Sequence, residues 1–119
     1  MERVKTISHE GKEIIFLDFA NCKTEEMLQV IAEGAKLIQA QPPKSVLALS
    51  DFTNSSTDPS LLSAFRAFTA GNEPYIKASA IVGLSRIAEI FYDIIIKFTR
   101  RNVTIFANAD QAKAWLIAQ

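Results

Sequence analysis

The sequence has few of the residues that build most catalytic and metal centres. It contains one cysteine, Cys22, one histidine, His9, and four glycines among its 119 residues. A lone cysteine excludes an intrachain disulfide and a thiolate-rich metal site. His9 falls in a predicted hairpin turn, far from the other polar candidates, so neither a Ser-His-Asp triad nor a Cys-His pair can form. No GxGxxG or GxxxxGK[ST] motif is present, which excludes a glycine loop that cradles phosphate.

The chain also lacks a net charge and a long apolar run. Its 13 Lys and Arg balance 13 Asp and Glu, so no positive field attracts phosphates, and we expect no nucleic-acid partner. No uncharged apolar run approaches about 20 residues, and the leading MERVKTISHEGKE has no apolar stretch of signal-peptide length. Together with the lone cysteine, these features predict a cytoplasmic protein. We expect no bound cofactor and no metal.

The hydrophobic period changes repeatedly along the chain between that of strands and that of helices. Strands are predicted at 4–8, 13–19, 46–52, 76–83 and 103–106. Helices are predicted at 24–40, from 59 to a stop at Gly71, at 85–100 and at 109–117, the last capped by Asn108. The order ββαβαβαβα predicts one α/β domain over 1–119, with a single mixed, mostly parallel sheet and helices on both faces.

Three local features refine this prediction. Gly11 is free to adopt a positive φ in a bulged hairpin between the first two strands, which makes them antiparallel. The helix 24–40 is predicted to be mostly buried, with Leu28, Ile31 and Ile38 at helical spacing on its apolar face. Gly34 lies inside this face, where glycine costs roughly 1 kcal/mol relative to alanine, so we expect a close backbone approach there.

A short internal repeat links the ends of two strands. DFANCKTEEML, from Asp18, aligns without gaps to DFTNSSTDPSL, from Asp51, 33 residues later. The favoured interpretation is that two junctions between strand and helix reuse one turn, in which the aspartates accept hydrogen bonds. The other interpretation is that Asp18 and Asp51 form an acid-base pair or hold Mg²⁺.

Polar residues follow the strand ends at one edge of the predicted sheet. In an open parallel sheet, ligands bind at this edge beside a topological switch point. Helix amino termini and two carboxylates there could hold an anion or a cation. The expected ligand or partner edge comprises Asp18, Asn21, Cys22, Asp51, Thr53, Asn54, Ser55, Ser56, Ser60 and Ser85.

Several segments together resemble one family. SVLALSDFTNSSTDPSLL, NEPYIKASAIVGLS, FTRRNVTIF and the closing DQAKAWL are similar to the SpoIIAA-like branch of the STAS superfamily, small domains also likened to CRAL-TRIO lipid-transfer proteins. In phosphorylatable STAS domains, a serine that opens a helix is the phosphoacceptor. The resemblance places Ser60 near that position, with Asp51-Phe52-Thr53 matching the preceding strand end. Pro59 and Leu61-Leu62 depart from the family pattern.

Two functions follow, neither of them enzymatic. The first is a module that binds an apolar or lipid-like ligand, with peripheral membrane association as a variant, because the helix 85–100 carries surplus apolar surface. The alternative is a regulatory protein-interaction module of the anti-sigma factor antagonist type, with Ser60 as candidate phosphoacceptor. The surplus surface also predicts a homodimer. Burial against the sheet, a dimer partner, and a ligand or membrane remain open for the face formed by Ile87, Phe91, Ile94 and Phe98.

Overall fold

The computed structural model describes residues 2–90, 93 and 103–119. The strands are β1 (Val4–His9), β2 (Lys12–Asp18), β3 (Val46–Asp51), β4 (Ile76–Val82) and β5 (Val103–Phe106). The helices are α1 (Thr24–Ile38), α2 (Leu61–Asn72), α3 (described at 86–90 and 93) and α4 (Ala109–Ile117). A short 3₁₀ helix, Glu73–Tyr75, follows α2.

The five strands form one sheet in the order β1-β2-β3-β4-β5, with β1 antiparallel to β2 and the other pairs parallel. The predicted α/β class and mixed, mostly parallel sheet are confirmed. Because spatial order follows chain order, each crossover steps in the same direction. The described strands therefore include no reversal of order, and they form no topological switch point.

Apolar layers cover both faces of the sheet, as predicted, but the helices divide unequally between them. On one face, α1, α2 and the start of α3 pack against side chains such as Leu17 of β2 and Phe19, which follows that strand. Helix α4 packs, through Ala112 and Leu116, on the opposite face. Right-handed crossovers that all step one way place their helices on the same face. Helix α4 follows the last strand and belongs to no crossover, and it covers the other face of the sheet.

The hairpin between β1 and β2 is tighter than predicted. His9 pairs directly with Lys12, and the two residues between them have positive φ, 48° for Glu10 and 80° for Gly11. Two consecutive positive φ values define a type I′ turn, which matches the twist of the strands without an extra residue. The positive φ of Gly11 and the antiparallel pairing are confirmed, whereas the predicted bulge is wrong.

Helix α1 is rotated relative to its predicted apolar face. Its buried positions are Met27, Val30, Gly34 and Ile38, whereas Leu28 is 44% exposed. A Cβ on Gly34 would lie 2.9 Å from Leu17 Cδ2, so the predicted close approach is confirmed. This approach turns the Gly34 stripe toward the sheet and carries Leu28 outward.

The end of α2 also differs from the prediction. The helix passes through Gly71 to Asn72, which is fully buried, and runs into the 3₁₀ helix Glu73–Tyr75. Pro74 lies in the first turn of that short helix, where its missing N–H costs nothing. The Asn72 carboxamide oxygen accepts a hydrogen bond from Gln39 Nε2 at 3.1 Å, which ties the end of α2 to the end of α1.

Gly83, directly after β4, is the glycine that tolerates a side chain least. It has a φ of 80°, and a Cβ there would lie 2.6 Å from Thr53 N and 2.7 Å from Asp51 Oδ1. Gly11 has the same φ but no atom within 4 Å of the corresponding position.

We expect Gly11→Ala to cost about 1–2 kcal/mol in free energy of unfolding from backbone strain alone. Gly83→Ala should cost about 1–3 kcal/mol more, from overpacking. Urea unfolding of both variants measures this; equal losses would contradict the close packing at Gly83.

Candidate functional site

The candidate site is built on two copies of one turn, at the ends of β2 and β3. In the first, Asp18 Oδ1 accepts the Ala20 N–H at 2.9 Å. In the second, Asp51 Oδ1 accepts the Thr53 N–H at 2.9 Å and the Thr53 hydroxyl at 2.6 Å. Both carboxylates therefore act as turn acceptors, in agreement with the favoured interpretation of the repeat.

The two turns lie side by side. Asp18 and Asp51 are opposite each other in the β2-β3 register. The rings of Phe19 and Phe52 stack with their centroids 4.7 Å apart and their planes 2° apart. Backbone pairing continues past the strand ends, since Phe19 N donates to Asp51 O at 2.9 Å. The two copies of the sequence repeat therefore occupy equivalent positions at the ends of the neighbouring strands β2 and β3.

The asparagines of the repeat complete this contact. Asn21 and Asn54 have φ values of 59° and 51°, in the left-handed region. Asparagine enters this region more readily than most residues, which explains its recurrence at this point of the turn. Asn54 Nδ2 donates to Asn21 Oδ1 at 3.0 Å, and both side chains are exposed. A hydrogen bond between two side-chain amides therefore joins the two turns at the exposed end of the edge.

Arg3, which the sequence analysis did not single out, fastens the amino-terminal segment to this edge. Its Nη1 donates to the Ala20 carbonyl at 2.8 Å and lies 3.8 Å from Asp18 Oδ1. Its Nη2 lies 3.7 Å from Glu26 Oε2 on α1. A single arginine before a short strand carries no local signal of this contact, because its partners lie 15 or more residues away.

Hydroxyl groups and one carboxylate join the beginnings of α1 and α2. Thr24 Oγ1 lies 3.1 Å from Ser56 Oγ and donates to Asp58 Oδ2 at 3.2 Å. The Ser60 N–H donates to Asp58 Oδ1 at 3.0 Å. Hydrogen bonds from the backbone and side chain of Ser60, followed by that from Thr24, hold the pKa of Asp58 below its usual value. Ser60 itself is exposed.

The remaining predicted edge residues are less uniform. Ser85 stands apart as the cap of α3, where its Oγ accepts the Ala88 N–H at 3.1 Å. The Ser55 hydroxyl is buried and has no hydrogen-bond partner among the described residues. Cys22 was predicted on the rim but is buried, with Sγ 3.8 Å from the Asp18 carbonyl oxygen. Burial raises the pKa of the Cys22 thiol. Its packing below the turn corrects the prediction.

The described residues offer little for chemistry at this edge. They contain no group of three or more His, Cys, Asp or Glu side chains that could hold a metal ion. A cavity of about 50 Å³ lies away from the edge and is lined in part by Thr6, Glu13 and Gln41. Such a volume suits water rather than a lipid-sized ligand, for which sites of roughly 300 Å³ or more are usual. A larger, open depression of about 690 Å³ lies at the start of α1, but its lining residues, Lys23, Thr24, Glu25 and Glu26, are polar and do not suit an apolar ligand.

The start of α3 presents apolar side chains to solvent. Ile87 and Ile90 are 73% and 76% exposed, whereas Ala88 between them is 4% exposed and packs in the core. The interpretation that buries Ile87 against the sheet is therefore wrong. The other members of the predicted face, Phe91, Ile94 and Phe98, lie outside the described residues.

None of the helices, over the residues described, is long and apolar enough to span a membrane. Comparison with known proteins finds no matching family model, curated protein or solved structure. The SpoIIAA-like resemblance therefore stays a prediction from the sequence motifs.

The turn role of Asp51 predicts a graded response to substitution. Asp51→Ala removes the acceptor of two hydrogen bonds and should lower the free energy of unfolding by about 1–3 kcal/mol. Asp51→Asn keeps an oxygen acceptor and should cost less than Asp51→Ala. Chemical denaturation of the three proteins gives the comparison. An equal loss in both variants would indicate that the negative charge, rather than the turn, is what Asp51 supplies.

Proposed function

We propose that the protein is a non-enzymatic module that binds an apolar, lipid-like ligand through the exposed start of α3. The observation that carries this proposal is the exposure of Ile87 and Ile90, one helical turn apart and each about three-quarters exposed. Single exposed apolar residues are common, but adjacent large ones create a contact surface. The turn role of Asp18 and Asp51 favours binding over catalysis.

The free energy gained by burying Ile87 and Ile90 limits the affinity that these two side chains provide alone. Full burial of one isoleucine is worth roughly 1.5–3 kcal/mol, so two of them supply about 3–6 kcal/mol before the cost of association. A millimolar dissociation constant corresponds to about 4 kcal/mol. A ligand bound in the micromolar range therefore needs apolar contact with the protein beyond the two isoleucines.

The charges beside the pair favour an individual ligand over an anionic bilayer. Arg86 and Glu89 are both exposed and adjoin the isoleucines. Their charges cancel, so the described start of α3 has no net attraction for anionic headgroups. Lys97, Arg100 and Arg101, the basic residues of the sequence that could meet lipid phosphates, lie outside the described residues.

Ile87→Ser combined with Ile90→Ser tests the proposal. Because both side chains are exposed, the double variant should fold with nearly unchanged stability. It should lose at least tenfold in affinity for cis-parinaric acid, a fluorescent fatty acid, measured by fluorescence titration. The matched control is Leu28→Ser, which removes an exposed apolar side chain, 44% accessible, from α1. No binding by the wild-type protein, or equal losses in both variants, would refute the proposal.

A second candidate function is partner regulation through phosphorylation of Ser60. The observation that favours it is that exposed Ser60 donates to Asp58, which also binds Thr24 of α1. A phosphate adds a charge of about −1.5 to −2 beside this carboxylate, which opposes the existing contacts. Modification there would loosen the link between the starts of α1 and α2.

Ser60→Asp imitates this charge. We expect faster amide hydrogen exchange in the first turn of α1 than in the wild-type protein, because repulsion from Asp58 breaks the bond to Thr24. Ser63→Asp, on an exposed position of α2, is the control and should leave α1 unchanged. Equal exchange in the two variants would contradict the switch.

A further inference from the structure

We infer that the cavity at the amino-terminal ends of β2 and β3 binds a hard, oxygen-ligated cation, with Ca²⁺ as the best fit. The cavity has a volume of about 50 Å³, and its polar lining comes from three separate segments. These are β1 with Thr6, β2 with Glu13, and the connection between α1 and β3 with Gln41 and Ser45. The cavity lies at the end of the sheet opposite the carboxyl edge, and the inference is independent of the proposed function.

The strand register explains why a cavity forms at this place. The parallel pairing of β2 with β3 begins at Ile15 and Ala48, although both strands start earlier in the chain. The starts of these two strands therefore lie outside their shared ladder. Thr6 pairs with Ile15 across β1 and β2, and Glu13 precedes Ile15 by two residues, so both side chains project from the same face. They meet the connection after α1 at the gap between the strand starts.

The polar groups of the lining present mainly oxygen lone pairs. The Ser45 hydroxyl donates to the Pro42 carbonyl at 2.6 Å, which leaves its lone pairs for another contact. Gln41 Nε2 donates to the Leu37 carbonyl at 3.1 Å. Because a carbonyl only accepts, this bond identifies the nitrogen of the amide and leaves Oε1 as an acceptor. The ionised Glu13 carboxylate also only accepts.

Glu13 is the charged member of this lining, and no described residue neutralises it. Its side chain forms no hydrogen bond or ion pair with any described residue. Lys12, its neighbour in the chain, instead donates Nζ to the Ile117 carbonyl at 2.6 Å, beside α4. Lys44 is exposed and does not line the cavity. An unpaired carboxylate beside neutral acceptors attracts a cation and repels an anion.

The chemistry of the oxygens selects the class of cation. Zn²⁺ and similar metals prefer nitrogen and sulfur ligands, and neither His9 nor Cys22 lines the cavity. Ca²⁺ accepts about six to eight oxygen ligands, water included, in flexible geometry, whereas Mg²⁺ requires a near-ideal octahedron. One water needs roughly 10–15 Å³, so the cavity has room for an ion with bound waters. A single carboxylate corresponds to weak affinity, with a Kd of about 0.1–1 mM.

A bound ion joins β1, β2 and the connection after α1 at one point. Because these segments come together only in the folded chain, binding stabilises the fold by mass action. The hairpin and the start of β3 then hold each other through the ion, in addition to the backbone ladder. No sequence motif marks this site, because its oxygens come from three separate segments.

Titration of the full, chelator-treated chain with CaCl₂, followed by ¹H–¹⁵N NMR, tests the site. We expect saturable shifts with a Kd of about 0.1–1 mM, confined to amides near residues 6, 13 and 41–47. Glu13→Gln keeps the shape of the side chain but removes its charge, so it should weaken binding roughly tenfold or more. Glu10→Gln, which removes an exposed carboxylate from the same hairpin, is the matched control and should bind like the wild type. Both positions are exposed, so both variants should fold.

Thermal unfolding gives a second readout. About 10 mM CaCl₂ should raise the Tm of the wild type by about 4 °C or more relative to NaCl of equal ionic strength. The same addition should leave the Tm of Glu13→Gln unchanged. MgCl₂ should bind roughly tenfold more weakly than CaCl₂, because the ligands come from segments that impose no octahedral geometry.

Several outcomes overturn the inference. The absence of a saturable shift in the wild type at about 10 mM CaCl₂ overturns the site, as does equal affinity in Glu13→Gln. An equal loss in Glu10→Gln, or shifts at exposed carboxylates throughout the chain, overturns it too, because either would indicate general attraction to negative charge. Equal affinity for MgCl₂ and CaCl₂ overturns the assignment to Ca²⁺.

Discussion

The side-by-side contact between the turns after β2 and β3 is the constraint on which the carboxyl edge of the sheet depends. The stacked rings of Phe19 and Phe52 and the amide pair of Asn21 and Asn54 lock one turn to the other. The turn after β3 also packs against Gly83, where no side chain fits. Three successive strand ends are therefore in contact with one another in one row. The start of α3, at residue 86, follows Gly83 by three residues.

Much of the fold could be predicted from the sequence because several strands and helix caps are specified by residues close together in the chain. The nearly continuous apolar run of β2 and the Asn108 cap, which accepts the Gln111 N–H at 2.9 Å, need no distant partner to be recognised. The errors lie where distant contacts decide. Leu28 turns outward because Gly34 meets Leu17 across the helix-sheet interface. Helix α2 passes Gly71 and ends at Asn72, whose buried carboxamide oxygen accepts a hydrogen bond from Gln39 at the end of α1.

The site was predictable to the extent that it repeats. The 33-residue offset brought Asp18 and Asp51 to notice, and the repeated Asn predicted a common turn. The clamp of Arg3 and the bond from Thr24 to Asp58 were not predictable, because each joins residues far apart in the chain and neither has a motif. Cys22 follows the same rule: only the packing of the turn shows that its thiol points inward.

The consecutive strand order also explains why apolar side chains remain exposed on α3. In a sheet whose crossovers step one way, the connecting helices form a single row on one face. An inner helix has a neighbour on each side, as α2 has α1, but the helix before the last strand ends the row. Burying Ala88 satisfies the sheet beneath it, and no later helix of the row follows to cover Ile87 and Ile90. A surface left open by topology is available for binding without any rearrangement of the core.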